Sequence, residues 1–174
     1  MLIREIDWRS GPTKEMFQVV AAALDKIRDE IATEDVDEAL EQEESFLGIA
    51  FVVGQTYIYG TIGDANKIAK LSGKGKPTDL LKKFSATIAG TSITKIQLCD
   101  AIADYFKHEW PNWLTTNPRN GQSRQLLAVL GIDQGITHPC REAAKLLLGN
   151  PEYDFDQFLS ALKDWRQKVI ADSK

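Results

Sequence analysis

Leu47, Phe51, Gly54, Ile58, Ile62, Ala65 and Ile68 stand three or four residues apart, one continuous apolar line at the helical period. Between 46 and 62 the positions around that line are apolar too, FLGIAFVVGQTYIYGTI. A helix that is apolar nearly all round belongs at the centre of a bundle, covered on every side. The β-branched and aromatic content would also suit two strands turning at Gly54-Gln55. The helical spacing decides between them, because it runs unbroken from the acidic segment before it to Lys70. Gly48, Gly54 and Gly60 each disfavour helix by about 1 kcal/mol relative to alanine, but they let neighbouring helices come close. A buried helix of this length demands helices to cover it, which points to an all-α fold.

The rest of the chain supplies them. Phe17, Val20, Leu24, Ile27 and Ile31 give a first helix over 13–32 one firm stripe. Residues 1–11 read as an extended lead-in whose Leu2, Ile3, Ile6 and Trp8 dock on the core. The second helix is predicted to open near Asp35 or Asp37, and Glu38, Glu41, Glu43 and Glu44 read as its solvated face. A basic glycine-rich loop, 72–77, lacks the P-loop spacing and is read as a loop. A third helix is expected from Pro77 or Thr78, with Leu80, Leu81, Phe84 and Ile88 inward and Gly90 as its stop. Helices follow over 92–110, over 123–130 closed by Gly131, from Thr137-His138-Pro139 to Gly149, and over 154–170. The expected architecture is a single all-α domain over 1–174, six or seven helices around the second.

The richest chemistry lies in 92–113, SITKIQLCDAIADYFKHEWPNW. Ser92 can cap the helix, and Pro111 disfavours the α region at Trp110. Ile96, Cys99, Ala103 and Phe106 form the apolar stripe, leaving a narrow polar sector of Gln97, Asp100, Asp104, Lys107 and His108. Asp104 and His108 are four apart and Lys107 is three from Asp104, so the three share a face. A carboxylate, an ammonium and an imidazole together can move protons or hold a phosphate; as a solvent-facing sector they are also ordinary surface. His108, Asp104 and Lys107 are the candidate catalytic residues. Gln55 and Tyr57 are polar groups in the buried helix that need partners, and this sector is the expected place to find them. Trp110 and Trp113 form an aromatic corner suited to an interface. Arg119 and Arg124 are the nearest arginines along the chain to His108. These six complete the candidate binding set.

The run Ala103-Asp104-Tyr105-Phe106-Lys107-His108 resembles the helical ribonuclease signature of the HEPN superfamily, in which an Arg and a polar residue precede a His by a few positions. His108 takes the His position, Asp104 the polar one, and Ala103 stands where the Arg is expected. The match spans Ile102 to Trp113 and also resembles bacterial all-helical proteins with a similar Lys-His and Trp-Pro stretch. The resemblance implies an all-helical domain that often pairs into a homodimer. It implies a non-catalytic module binding a protein or RNA partner in a bacterial toxin–antitoxin, defence or regulatory setting. Metal-independent ribonuclease activity is the alternative, and it lacks the Arg that holds the scissile phosphate.

Composition narrows these classes. The net charge is −4, which argues against general DNA binding and for a local site if RNA is the partner. Cys99 and Cys140 each sit in an apolar helical pattern, so two buried free thiols in a reducing compartment are expected. With His108 and His138 they lack the paired short spacing of a zinc motif, so no metal and no cofactor is implied. The N-terminus has no apolar signal-like region, and 46–62 is short and interrupted by Gln55 for a membrane span. The expected compartment is the cytoplasm. A third functional class, a small-molecule-binding bundle using the 46–62 region, stays open.

Overall fold

The computed structural model describes residues 5–31, 36–108, 121–133, 135–148 and 153–174. Among the described residues six helices run in order: α1 (Ser10–Ile31), α2 (Val36–Leu71), α3 (Lys95–His108), α4 (Gly121–Val129), α5 (Pro139–Leu148) and α6 (Phe155–Asp172). The fold is an all-α bundle, with no strand among the described residues. α2 is its axis: α1, α3, α5 and α6 all pack on it, while α4 packs on α3. Leu47, Ala50, Phe51, Ile58, Ala65 and Ile68 are wholly inaccessible to solvent. The glycines work as spacing predicted. A Cβ at Gly54 would lie 2.9 Å from Cys99 Sγ, and one at Gly48 would collide with the Phe106 ring, so both mark where α3 touches α2.

By length and composition α2 is apolar enough to cross a membrane, which differs from the reading of 46–62 by itself; half of its most apolar window is buried in the bundle. Asp37 and Glu38 lie in its first turn, where carboxylates suit the helix dipole.

Three expectations are corrected. The acidic run is not one solvated face. Glu38 and Glu41 are exposed, but Glu43 and Glu44 are buried. Glu44 accepts from the backbone N–H groups of Cys140 (2.7 Å) and Arg141 (3.0 Å), so it caps α5 from another helix. Glu43 accepts from the Tyr153 hydroxyl at 2.7 Å and pairs with Arg141 at 3.3 Å.

No third helix forms over 77–90. Leu80–Lys82 is a single 3-10 turn, because Asp79 (φ 55°) and Phe84 (φ 64°) occupy left-handed backbone on either side of it. Leu80 and Ile88 are buried as expected, whereas Phe84 is exposed. The carbonyls a helix would use internally are taken from outside. The Trp165 indole N–H donates to Leu80 O and Lys83 O, and the Thr94 hydroxyl donates to Leu81 O.

The described part of the lead-in docks through charge rather than through Ile6 and Trp8. Ile6 and Trp8 are exposed; Leu2 and Ile3 lie outside the described residues. Arg166, itself buried, donates to Ile6 O at 3.0 Å and pairs with Asp7 (3.4 Å) and Asp64 (3.3 Å). Arg9 pairs with Asp64 across from it, in the space that Gly60 leaves open.

Candidate functional site

α3 starts two residues later than Ser92 would have it. The Gln97 backbone N–H donates to Thr94 Oγ1 at 3.1 Å and the Thr94 N–H donates to Gln97 Oε1 at 3.0 Å. This reciprocal capping box satisfies two otherwise orphaned donors. It fixes the rotation of α3, which turns Ile96, Cys99, Ile102 and Ala103 into the core and Asp100 and Asp104 toward α2 and α4.

Gln55 is the centre of the arrangement. It is buried, and its side-chain amide donates to Asp100 Oδ1 at 2.7 Å and to Asp104 Oδ1 at 2.8 Å. One amide thus ties two carboxylates that stand one helical turn apart. Tyr59, one turn along α2, lies near Asp100 and is influenced by its charge. Ser123 of α4 donates to Asp104 Oδ2 at 3.3 Å, and Lys107 pairs with Asp104 Oδ1 at 3.2 Å. Burial pushes the Asp100 carboxyl above its ordinary value; the Gln55 hydrogen bond opposes this, and the Asp104 charge adds to it. Burial and the neighbouring Asp100 push the Tyr59 hydroxyl up to about 12.

Of the residues singled out from the sequence, Gln55 and Asp104 meet directly. Lys107 joins them from the edge of the cluster, its side chain about one third exposed (36%). His108 is exposed at the end of α3, and the described contacts of Asp104 go to Gln55, Ser123 and Lys107 rather than to its imidazole. Tyr57 is not in the cluster. It lies two residues from Gln55, on a different side of α2, and donates to Asp7 Oδ2 in the charged lead-in. Arg124 is half-buried on α4. Trp110, Trp113 and Arg119 lie outside the described residues. Ala103 is wholly buried. Cys99 and Cys140 are buried free thiols, both pushed up by burial. No group of three or more His, Cys, Asp or Glu side chains is placed to hold a metal among the described residues.

Tyr59 and Ser123 were missed as site residues, and Asp100, although placed in the polar sector, was not named as one. A signal existed for two of them. Gln55 and Tyr59 are polar at i and i+4 on an apolar helix, and Asp100 and Asp104 repeat that spacing on α3.

Beside this cluster is a half-enclosed cleft of about 630 Å³ between α3, α4 and the 72–94 connection. Ile62, Leu80, Ala101 and Leu126 give it apolar walls, and Gln97, Asp100 and Ser123 contribute polar groups. Asp79 and Lys82 line the side formed by the 3-10 turn. His108 is not among its lining residues. Set against known proteins, the chain matches no family model, no curated protein and no solved structure.

The Asp100 environment makes a pH prediction. A carboxyl whose value is raised on folding holds its proton more tightly in the folded chain, so its contribution to stability is complete below the ordinary value of 3.8 and is lost as pH rises through the raised one. Asp100→Asn removes that dependence. The stability of the parent relative to Asp100→Asn should therefore fall as pH rises upward from 3.8. Urea unfolding of both proteins across this range reads the difference; a flat or rising difference contradicts the assignment.

Proposed function

We propose that this protein is a non-catalytic binding domain, a HEPN-like interaction module that engages a partner through the exposed end of α3. The observation that carries the reading is the state of the signature positions. Ala103, in place of the phosphate-binding Arg, is sealed in the core, and the Asp104 carboxylate is held by Gln55, Ser123 and Lys107. Lys107 and His108 remain at the surface. An ammonium is a point donor without the two-pronged geometry of a guanidinium, and the adjacent carboxylates repel a phosphate. The acidic balance favours a protein partner over RNA. Free thiols buried in two helices suit the reducing cytoplasm. Pairing into a homodimer belongs to the same reading, and sedimentation equilibrium at micromolar concentration decides it: a monomer removes it.

Incubation with mixed RNA in the presence of a chelator separates this reading from the nuclease alternative. The parent and His108→Ala are both expected to leave RNA intact. Proton transfer by a positioned histidine contributes about 10²–10⁴-fold to such reactions, so cleavage by the parent that disappears in His108→Ala would establish a metal-independent ribonuclease.

A second reading has its own observation. The cleft falls within the roughly 300–1,000 Å³ of small-molecule sites and shares their mixture of apolar walls and few polar groups. It supports a small-molecule-binding bundle, with Ile62 the part of the 46–62 region that reaches it.

A further inference from the structure

We propose that the cleft between α3, α4 and the 72–94 connection takes a small organic ammonium ion with an apolar body, its charge set against Asp100. The proposal rests on the reading of the cleft as a small-molecule site and supplies the ligand class.

Three features of the cleft carry it. The first is sign. Its charged lining consists of Asp79, Asp100 and Lys82, two carboxylates to one ammonium, with Asp104 immediately behind Asp100 on the same Gln55 amide. The second is the fixed position of Asp100. The buried Gln55 amide holds its carboxyl in place before any ligand arrives, and preorganisation of this kind removes ordering cost from binding. The third is that the charge is left without a counter-ion. No cation forms an ion pair with Asp100 among the described residues, and the nearby Lys107 is paired to Asp104. Burial raises its carboxyl, and the Lys107 charge only partly offsets this. An ammonium head would supply the missing charge, with the Ser123 hydroxyl oxygen, whose proton goes to Asp104, as a further acceptor. Ile62, Leu80, Ala101 and Leu126 would cover a short hydrocarbon or aromatic body. A carboxylate or phosphate head meets repulsion at the same place.

The test uses the full chain and n-hexylamine, with n-hexanol and hexanoate as matched probes of the same body. The reporter is the indole N–H resonance of Trp165, which donates to the carbonyls of Leu80 and Lys83 on the connection that walls the cleft. Hexylamine is expected to shift it saturably at pH 7.5, with hexanol weaker and hexanoate silent. Asp100→Asn should weaken hexylamine by about ten-fold, the scale of a hydrogen bond to a charged group. A measurement on the parent alone stands beside the variant: hexylamine affinity should rise with pH as Asp100 loses its proton. Equal binding of hexylamine and hexanol, unchanged affinity in Asp100→Asn, or no pH dependence would overturn the ammonium assignment while leaving a small-molecule cleft. No response to any of the three probes would overturn both.

Discussion

Phe51→Ala is expected to destabilise the protein by about 3–5 kcal/mol, the cost of removing a buried aromatic side chain and leaving a cavity. Phe51 is wholly inaccessible and sits near the middle of α2, the helix on which four others pack. Its backbone carbonyl is also within 3.8 Å of the Cys99 thiol of α3, so the two helices are in contact at this level. Surrounding helices anchored to α2 at other levels have little freedom to collapse into the void. Against a domain stability of about 5–15 kcal/mol, the loss is a large fraction. It corresponds to a fall in Tm of roughly 6–20 °C for a chain of this size. Urea unfolding and calorimetry read it directly, and a loss below about 1 kcal/mol would mean that Phe51 does not occupy the core.

The same helix shows which features a single sequence discloses. α2 was readable because its stripe, Leu47 to Ile68, has one period over many turns, and no local rule competes with it strongly enough to break it. Gly48 and Gly54 looked like liabilities and proved to be contact points. The pairing of Gln55 with the polar sector of α3 was also readable. A buried amide must find partners, and few polar groups were placed to meet it. The failures share a cause: each depended on a partner distant in sequence. Glu43 and Glu44 resemble a solvated run until Tyr153 donates to the first and α5 presents its unsatisfied N–H groups to the second. The segment 77–90 has a helical pattern, but Trp165 and Thr94 claim its carbonyls and two residues leave helical backbone. The cap of α3 is a different case. Thr94 followed by Gln97 is a capping box visible in the sequence, and Ser92 was a weaker choice.

The lead-in shows the opposite of its apparent logic, and it leads to the second large effect. Asp64→Ala is expected to cost about 3–5 kcal/mol, because removing one member of a buried ion cluster leaves an uncompensated charge. The side chains of Asp64 and Arg166 are 5% and 3% exposed. Asp64 pairs with both Arg166 and Arg9, and Arg166 in turn holds Asp7 and the carbonyl of Ile6. Without Asp64, the guanidinium groups of Arg9 and Arg166 lose the buried carboxylate they share, and Asp7, which pairs with Arg166, is itself partly exposed. Tyr57 would keep its bond to Asp7, so the segment should loosen around Arg9 first. The cost is one of an orphaned charge rather than of lost attraction. Asp64→Leu combined with Arg166→Met should therefore destabilise less than the sum of the two single changes, since apolar replacement of both partners removes the desolvation penalty along with the pair. A double-mutant cycle in urea measures the coupling. Additive effects, or a loss below about 1 kcal/mol for Asp64→Ala, would mean that the charges are solvated and that the lead-in is held by other means.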